Sequence, residues 1–197
     1  MPTVDIIALI VFLAPMAYSP GPGNMFFAAL GARYGLRACT PALAGYHLAT
    51  LIVSFALGLG YATAVAGAPW IGQALRFAGS AYVLWLAVGL MRAGPLDSAV
   101  SARPAGFGSG ALLLLLNPKG YVIMVLMMTQ FAAAASPARI AVIAVLFTLN
   151  NLVAFLVWAL IGDRLARRFR SPGQARGLNI ALGAALGLVA LWMLLRA

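Results

Sequence analysis

Lys119 is the only lysine in the chain, and it lies deep inside an apolar run that extends from about residue 107 to 135. A helix started at residue 107 carries it roughly 18 Å inward. A cation at that depth in a hydrocarbon layer costs about 2.5–3.5 kcal/mol before a partner is found, so it must serve a purpose or find a bond. Such a lysine can snorkel or pair with a structural carbonyl; its natural functional partner is an anionic group such as a carboxylate. His47, the only histidine, is a candidate for proton uptake, or a neutral imidazole bonded to a nearby carbonyl. Asn150 and Asn151 could bind a solute or tie helices together. The three acidic residues, Asp5, Asp97 and Asp163, all fall near segment ends. No carboxylate pair, nucleophile–base pair or cluster with metal-ligand spacing is present, so the sequence offers no catalytic site, no metal site and no cofactor motif. Cys39 stands alone, which excludes a disulfide framework.

Two short motifs must position these groups. Ser19-Pro20-Gly21-Pro22-Gly23-Asn24 interrupts an apolar run at 6–30, and Asn117-Pro118-Lys119-Gly120 interrupts the run at 107–135. Proline removes a backbone donor and clashes with the preceding turn, so each helix must break there. Broken backbone within a membrane survives only inside protein or beside a water-filled cavity. Two breaks in matching places of two halves are the best sequence pointer to a transporter binding site. After Pro22-Gly23 a new half-helix starts with unpartnered N–H groups that favour negative charge. Gly21 and Gly23 allow close approach to the backbone, and carbonyls before the break can accept from an ammonium. A zwitterion fits this set: carboxylate to Lys119 or to the half-helix N-terminus, ammonium to the freed carbonyls.

With 64% hydrophobic and 8% charged residues, the chain reads as an all-α polytopic membrane protein. Continuous rather than alternating apolar runs exclude a β-barrel. The expected spans are six: 6–30, 41–65, 70–91, 107–135, 140–161 and 177–195. The absence of Lys or Arg before the first run argues for a retained first span, not a cleaved leader. The gap 93–106 reads as a linker between repeat one, 1–92, and repeat two, 107–197, within a single transmembrane domain. Ser19-Pro20 answers Asn117-Pro118, and Gly67-Ala68-Pro69 answers Arg170-Ser171-Pro172. An odd number of spans per repeat makes the repeats inverted.

Nine arginines (33, 37, 92, 103, 164, 167, 168, 170 and 176) fall on one side of this scheme and three (76, 139 and 196) on the other. The rich side should be cytoplasmic, with both termini periplasmic. The net charge of +10 is thus a topology signal; the arginines form no continuous stripe for nucleic acid. His47, Thr50, Ser54 and Gly58 share one face of span two, and Thr148 and Asn151 one face of span five; both faces should point inward. Met124, Met127 and Met128 read as packing, as does Gly183-x-x-x-Gly187. The glycine-rich faces could serve the bundle or a homodimer.

Ser19-Pro20-Gly21-Pro22, the glycine-rich second span, Asn117-Pro118-Lys119 and Gln130-Phe131 resemble the lysine exporter/homoserine–threonine exporter family over the whole chain. The resemblance implies a bacterial inner-membrane exporter of amino acids or close derivatives, driven by the proton gradient. It departs at Asn151, where many members carry an acidic residue. Three rivals stand beside it. A divalent-metal or cation exporter on the same fold needs buried ligands, and the sequence offers one histidine. An intramembrane enzyme needs a nucleophile with a base, or a metal. A structural membrane partner leaves Lys119 unexplained.

Overall fold

The structure is a computed structural model that describes residues 3–61, 77, 81–82, 84–85, 87–89, 91–92, 104–132, 136–168 and 171–195. Every continuous element among them is helical. Helix α1 (Thr3–Tyr18) is followed by α2 (Pro22–Tyr34), a 3-10 turn (Leu36–Cys39) and α3 (Thr40–Ala56). A π turn (Leu57–Tyr61) closes α3. Helices α4 (Phe107–Leu115), α5 (Pro118–Phe131), α6 (Pro137–Arg168) and α7 (Pro172–Leu195) complete the order. Each of α2, α5, α6 and α7 begins on a proline, whose missing N–H is no loss in a first turn.

Both expected breaks are present. The α1–α2 pair bends by 62° and the α4–α5 pair by 64°. Among the described residues, two helices are long and apolar enough to cross a membrane alone, Leu36–Gly60 and Pro137–Arg168, and up to four spans result if each bent pair counts as one. At 1.5 Å per residue, the 32 residues of α6 extend roughly 48 Å, well past a hydrocarbon core of about 30 Å. It therefore runs beyond the expected 140–161 and carries Arg164, Arg167 and Arg168 clear of the apolar zone. Span two is expected to continue to residue 65, but regular helix stops at Ala56. Gly60 adopts φ 100°, a left-handed conformation open to glycine, and so redirects the chain. Residues 62–76, with Gly67-Ala68-Pro69 and Arg76, lie outside the described residues, as do 93–103 with Asp97 and Arg103, and Arg170 and Arg196. The expected third span is described only at single helical residues between Phe77 and Arg92.

The distribution of polarity is that of a protein solvated by lipid. Ile7, Val11, Ile52, Val122, Leu149, Val153 and Leu188 are exposed, while Asn24, His47, Thr50, Ser54, Asn117 and Asn151 are buried. In water that arrangement would waste apolar area; in hydrocarbon it hides the groups that need hydrogen bonds. The inward faces expected on spans two and five are thus observed at His47, Thr50, Ser54 and Asn151. Thr50 and Ser54 donate to the Tyr46 and Thr50 carbonyls, at 2.8 and 2.6 Å. Met124, Met127 and Met128 are core. The chain is a multi-pass, all-α membrane protein.

Two seams, α2 against α6 and α3 against α4, are both built from backbone. Gly31 of α2 faces the Ala159 carbonyl of α6, and Gly162 of α6 faces the Ala28 carbonyl of α2. Gly45 of α3 likewise faces the Phe107 carbonyl of α4, and Gly110 the Ala42 carbonyl. At all four an added methyl group would overlap the carbonyl. Close approach of this kind permits Cα–H···O contacts and dense packing without a hydrophobic drive, which lipid does not supply. Both seams lie at the end of the bundle that carries Arg33, Arg37, Arg164 and Arg167. At the other end Asp5 and Arg139 pair at 3.2 Å, and Gly58 packs on Ile140 and Met128.

Candidate functional site

The first break can be followed carbonyl by carbonyl. A helix end leaves its last carbonyls without partners, and buried ones must be satisfied. Ser19 N–H donates to Pro15 at 3.1 Å, and the Ser19 hydroxyl donates to Met16 at 3.0 Å. Asn24 Nδ2 reaches back from α2 to the Ala17 carbonyl at 2.9 Å. Trp158 Nε1, from α6, donates to Tyr18 at 3.1 Å. Lys119 Nζ, from α5, donates to the Ser19 carbonyl at 2.7 Å, the Ser19 hydroxyl at 3.0 Å and the Pro20 carbonyl at 3.4 Å. The last helical carbonyls and the two in the break are therefore held largely by side chains distant in sequence.

Lys119 does not stand free for an anion, as its type and depth suggest. It caps the negative end of α1, where a cation is favoured. Gly21 makes this approach possible: a Cβ there would sit 2.8 Å from Lys119 Cδ and 2.9 Å from Nζ. Pro20 and the Lys119 side chain keep partial exposure, so the cluster is reached from outside the packed core. Beyond the break, Gly21 accepts from Met25 N–H at 2.9 Å, and the first N–H groups of α2 have no intrahelical acceptor.

The second break is tighter. Asn117 is the N-cap of α5, and its side chain accepts from Gly120 N–H at 3.4 Å. Its own N–H donates to Leu114 at 2.9 Å, and its carbonyl accepts from Gly120 at 3.0 Å. Asn117 Nδ2 then donates to the Tyr46 hydroxyl at 2.8 Å, and that hydroxyl also bonds the side chain of Asn151. A polar chain thus crosses from α5 through α3 to α6 inside an apolar core. Tyr46 is buried among Phe27 and Phe155, with ring centroids at 6.0 and 4.7 Å. Gly23 abuts the same Phe155 ring, 2.8 Å from Cε2 if it bore a Cβ. The aromatic cluster is the wall between the two breaks.

His47 stands at the edge of that wall, its ring 5.4 Å from Phe155. Nδ1 donates to the Leu43 carbonyl at 2.8 Å, as a satisfied imidazole would. Nε2 is buried with no hydrogen-bond partner, and the Asn151 backbone lies near the ring. Asn150 points elsewhere: its Nδ2 is also buried without a partner, and it joins neither break. Of the residues singled out in the sequence, Ser19, Pro20, Gly21 and Lys119 meet directly. Asn24 staples the first break, Asn117 and Asn151 meet through Tyr46, and Pro22 and Pro118 open the second half-helices. Tyr46, Phe155 and Phe27 escaped the sequence reading. Tyr46 shares a face with Thr50 and Ser54 at steps of four, and that spacing was the available signal. Among the described residues, no three His, Cys, Asp or Glu side chains gather as a metal group would require.

Comparison with known proteins gives a consistent result. The chain is 31% identical over 169 residues to the cysteine/O-acetylserine efflux protein of Escherichia coli K12, covering 84% of this chain and 85% of that one. The protein of the same name from Salmonella typhi is 32% identical over 169 residues, with 84% and 86% covered. No solved structure matches. The family model described as LysE type translocator matches residues 14–197. The chain belongs to the LysE type translocator family.

Proposed function

We propose that this protein exports amino acids or close derivatives across the bacterial inner membrane, coupled to the proton gradient. The observation that carries the reading is the meeting of two broken helices at Lys119, whose ammonium lies on the Ser19 and Pro20 carbonyls. Membership of a translocator family, and relatives named as efflux proteins for cysteine and O-acetylserine, support a small zwitterion as the substrate class.

The substrate sits between the breaks, bounded by Ser19–Asn24, Asn117–Lys119 and the Tyr46–Phe155 wall. Its ammonium uses the acceptors at the end of α1. Its carboxylate uses Lys119 or the N–H groups that open α2. Repeats 1–92 and 107–197, inverted about the linker 93–106, alternate the access, with both termini periplasmic and the arginine-rich end in the cytoplasm. The near-equal bends of 62° and 64° support the pairing of the two repeats. With Asn151 in place of an acid, His47 is the proton carrier: its orphaned Nε2 faces α6, so a proton gained there adds a bond between α3 and α6.

The test is efflux from cells loaded with a panel of amino acids, with and without an uncoupler. Wild-type protein should export a small neutral amino acid and stop when the gradient collapses. Lys119→Ala should export nothing above background while inserting normally, and full efflux in that variant would overturn the site.

A further inference from the structure

We infer that the acceptors at the end of α1 form a primary-ammonium site, which the resting protein fills with its own Lys119 and yields to the substrate by exchange. An ammonium has three protons to donate. Nζ of Lys119 meets three acceptors, the Ser19 carbonyl, the Ser19 hydroxyl and the Pro20 carbonyl, at 2.7, 3.0 and 3.4 Å. They sit at the negative end of a helix whose remaining carbonyls are already taken by Ser19, Asn24 and Trp158. The site is therefore shaped for one R–NH3+ group and no more. Gly21 leaves the space in which the lysine stem lies.

Exchange follows from charge. Among the described residues no carboxylate lies beside Lys119; Asp5 pairs with Arg139 and Asp163 with Arg167, at opposite ends of the bundle. If a substrate ammonium takes the three acceptors, Lys119 is expelled without a partner, which an apolar interior penalises heavily. An α-amino acid removes that penalty, because its carboxylate is attached to the carbon that bears the ammonium and meets the displaced lysine. A plain amine provides no such anion, and an N-acylated amino acid cannot donate three protons. The exchange thus selects free α-amino acids by requiring both groups at once, and it leaves the charge of the site unchanged.

This rests on the export reading for its ligand but not for its test. Lys119→Ala protein, purified with its full chain, should bind methylammonium saturably and at least about tenfold more tightly than wild type, since the competitor is gone. Adding Ser19→Ala, which removes one acceptor of a charged donor, should weaken that binding about tenfold. Tetramethylammonium, which has no proton to donate, should not bind. A second measurement uses the native chain. Because Lys119 is the only lysine, 13C label at lysine Cε gives one resonance. Glycine, which carries both groups, should shift it saturably in wild type, methylammonium only at concentrations at least about tenfold higher, and tetramethylammonium should leave it in place. No saturable response in either measurement, or equal responses to both cations, overturns the inference. Methylammonium binding in a protein that exports no amino acid keeps the site and removes the export reading instead.

Discussion

The two helix breaks look alike in sequence and bend by nearly the same angle, yet they are built on opposite plans. The second is capped from within: Asn117 caps its own helix, bonds Leu114 behind it and Gly120 ahead of it, is buried, and reaches out only to the Tyr46 hydroxyl. The first is dependent. Gly21 is extended and carries no side-chain cap, and its neighbours are satisfied by Trp158 from α6 and Lys119 from α5, 140 and 100 residues away. A break that caps itself can serve as a fixed mount. A break whose outermost acceptors, Ser19 and Pro20, are met by the end of a flexible lysine can exchange that donor, and so is the one suited to a ligand.

This contrast can be broken by experiment. The largest effect is expected at Gly21→Val. The added atoms meet the flexible end of Lys119 rather than backbone, so the fold should survive while the ammonium is driven off its acceptors. Efflux should fall about a hundredfold, equal to about 2.7 kcal/mol, while the protein still inserts and purifies folded. Asn117→Ala should do the reverse. It removes a cap, worth about 0.5–2 kcal/mol, and takes one of its two partners from the Tyr46 hydroxyl, so reversible unfolding in detergent should show a loss of about 2 kcal/mol. Tyr46→Phe keeps the ring in its aromatic setting and deletes only the bridge to Asn117 and Asn151; about 1 kcal/mol is expected by the same measurement. Smallest is Asp5→Asn. Its pair with Arg139 is 36% and 41% exposed, and about 0–0.5 kcal/mol should be lost. Were Asn117→Ala to abolish efflux without loss of stability, the distinction between mount and exchange site would fail.

Local chemistry made the breaks legible. Proline and glycine act on the residues beside them, so Ser19–Asn24 and Asn117–Gly120 could be read from six and four positions. The buried faces of α3 and α6 were legible for a related reason, since His47, Thr50 and Ser54 repeat at helical steps. Lys119 was marked by type and depth, with a structural carbonyl among its possible partners, but which carbonyl was not legible. Which acceptor a lone cation finds depends on how two segments 100 residues apart cross, and no periodicity encodes that. Tyr46 was hidden because an aromatic side chain in an apolar helix carries the same pattern whether or not its hydroxyl has a partner. The seams were missed because small residues three apart, Ala28 with Gly31 and Ala159 with Gly162, are common in apolar helices. Only their reciprocal placement gives them meaning.

Those glycine seams have a mechanical consequence. Where main chain lies on main chain, nothing can rotate out of the way as a side chain can. At the arginine-bearing end the α2–α6 contact is therefore a rigid joint, with no room for even one additional carbon at Gly31 or Gly162. Opening it requires whole helices to part as levers, and the glycines that make contact so close also make separation inexpensive, since they surrender no interlocked side chains. A bulky residue at Gly31 or Gly162 would wedge that joint ajar.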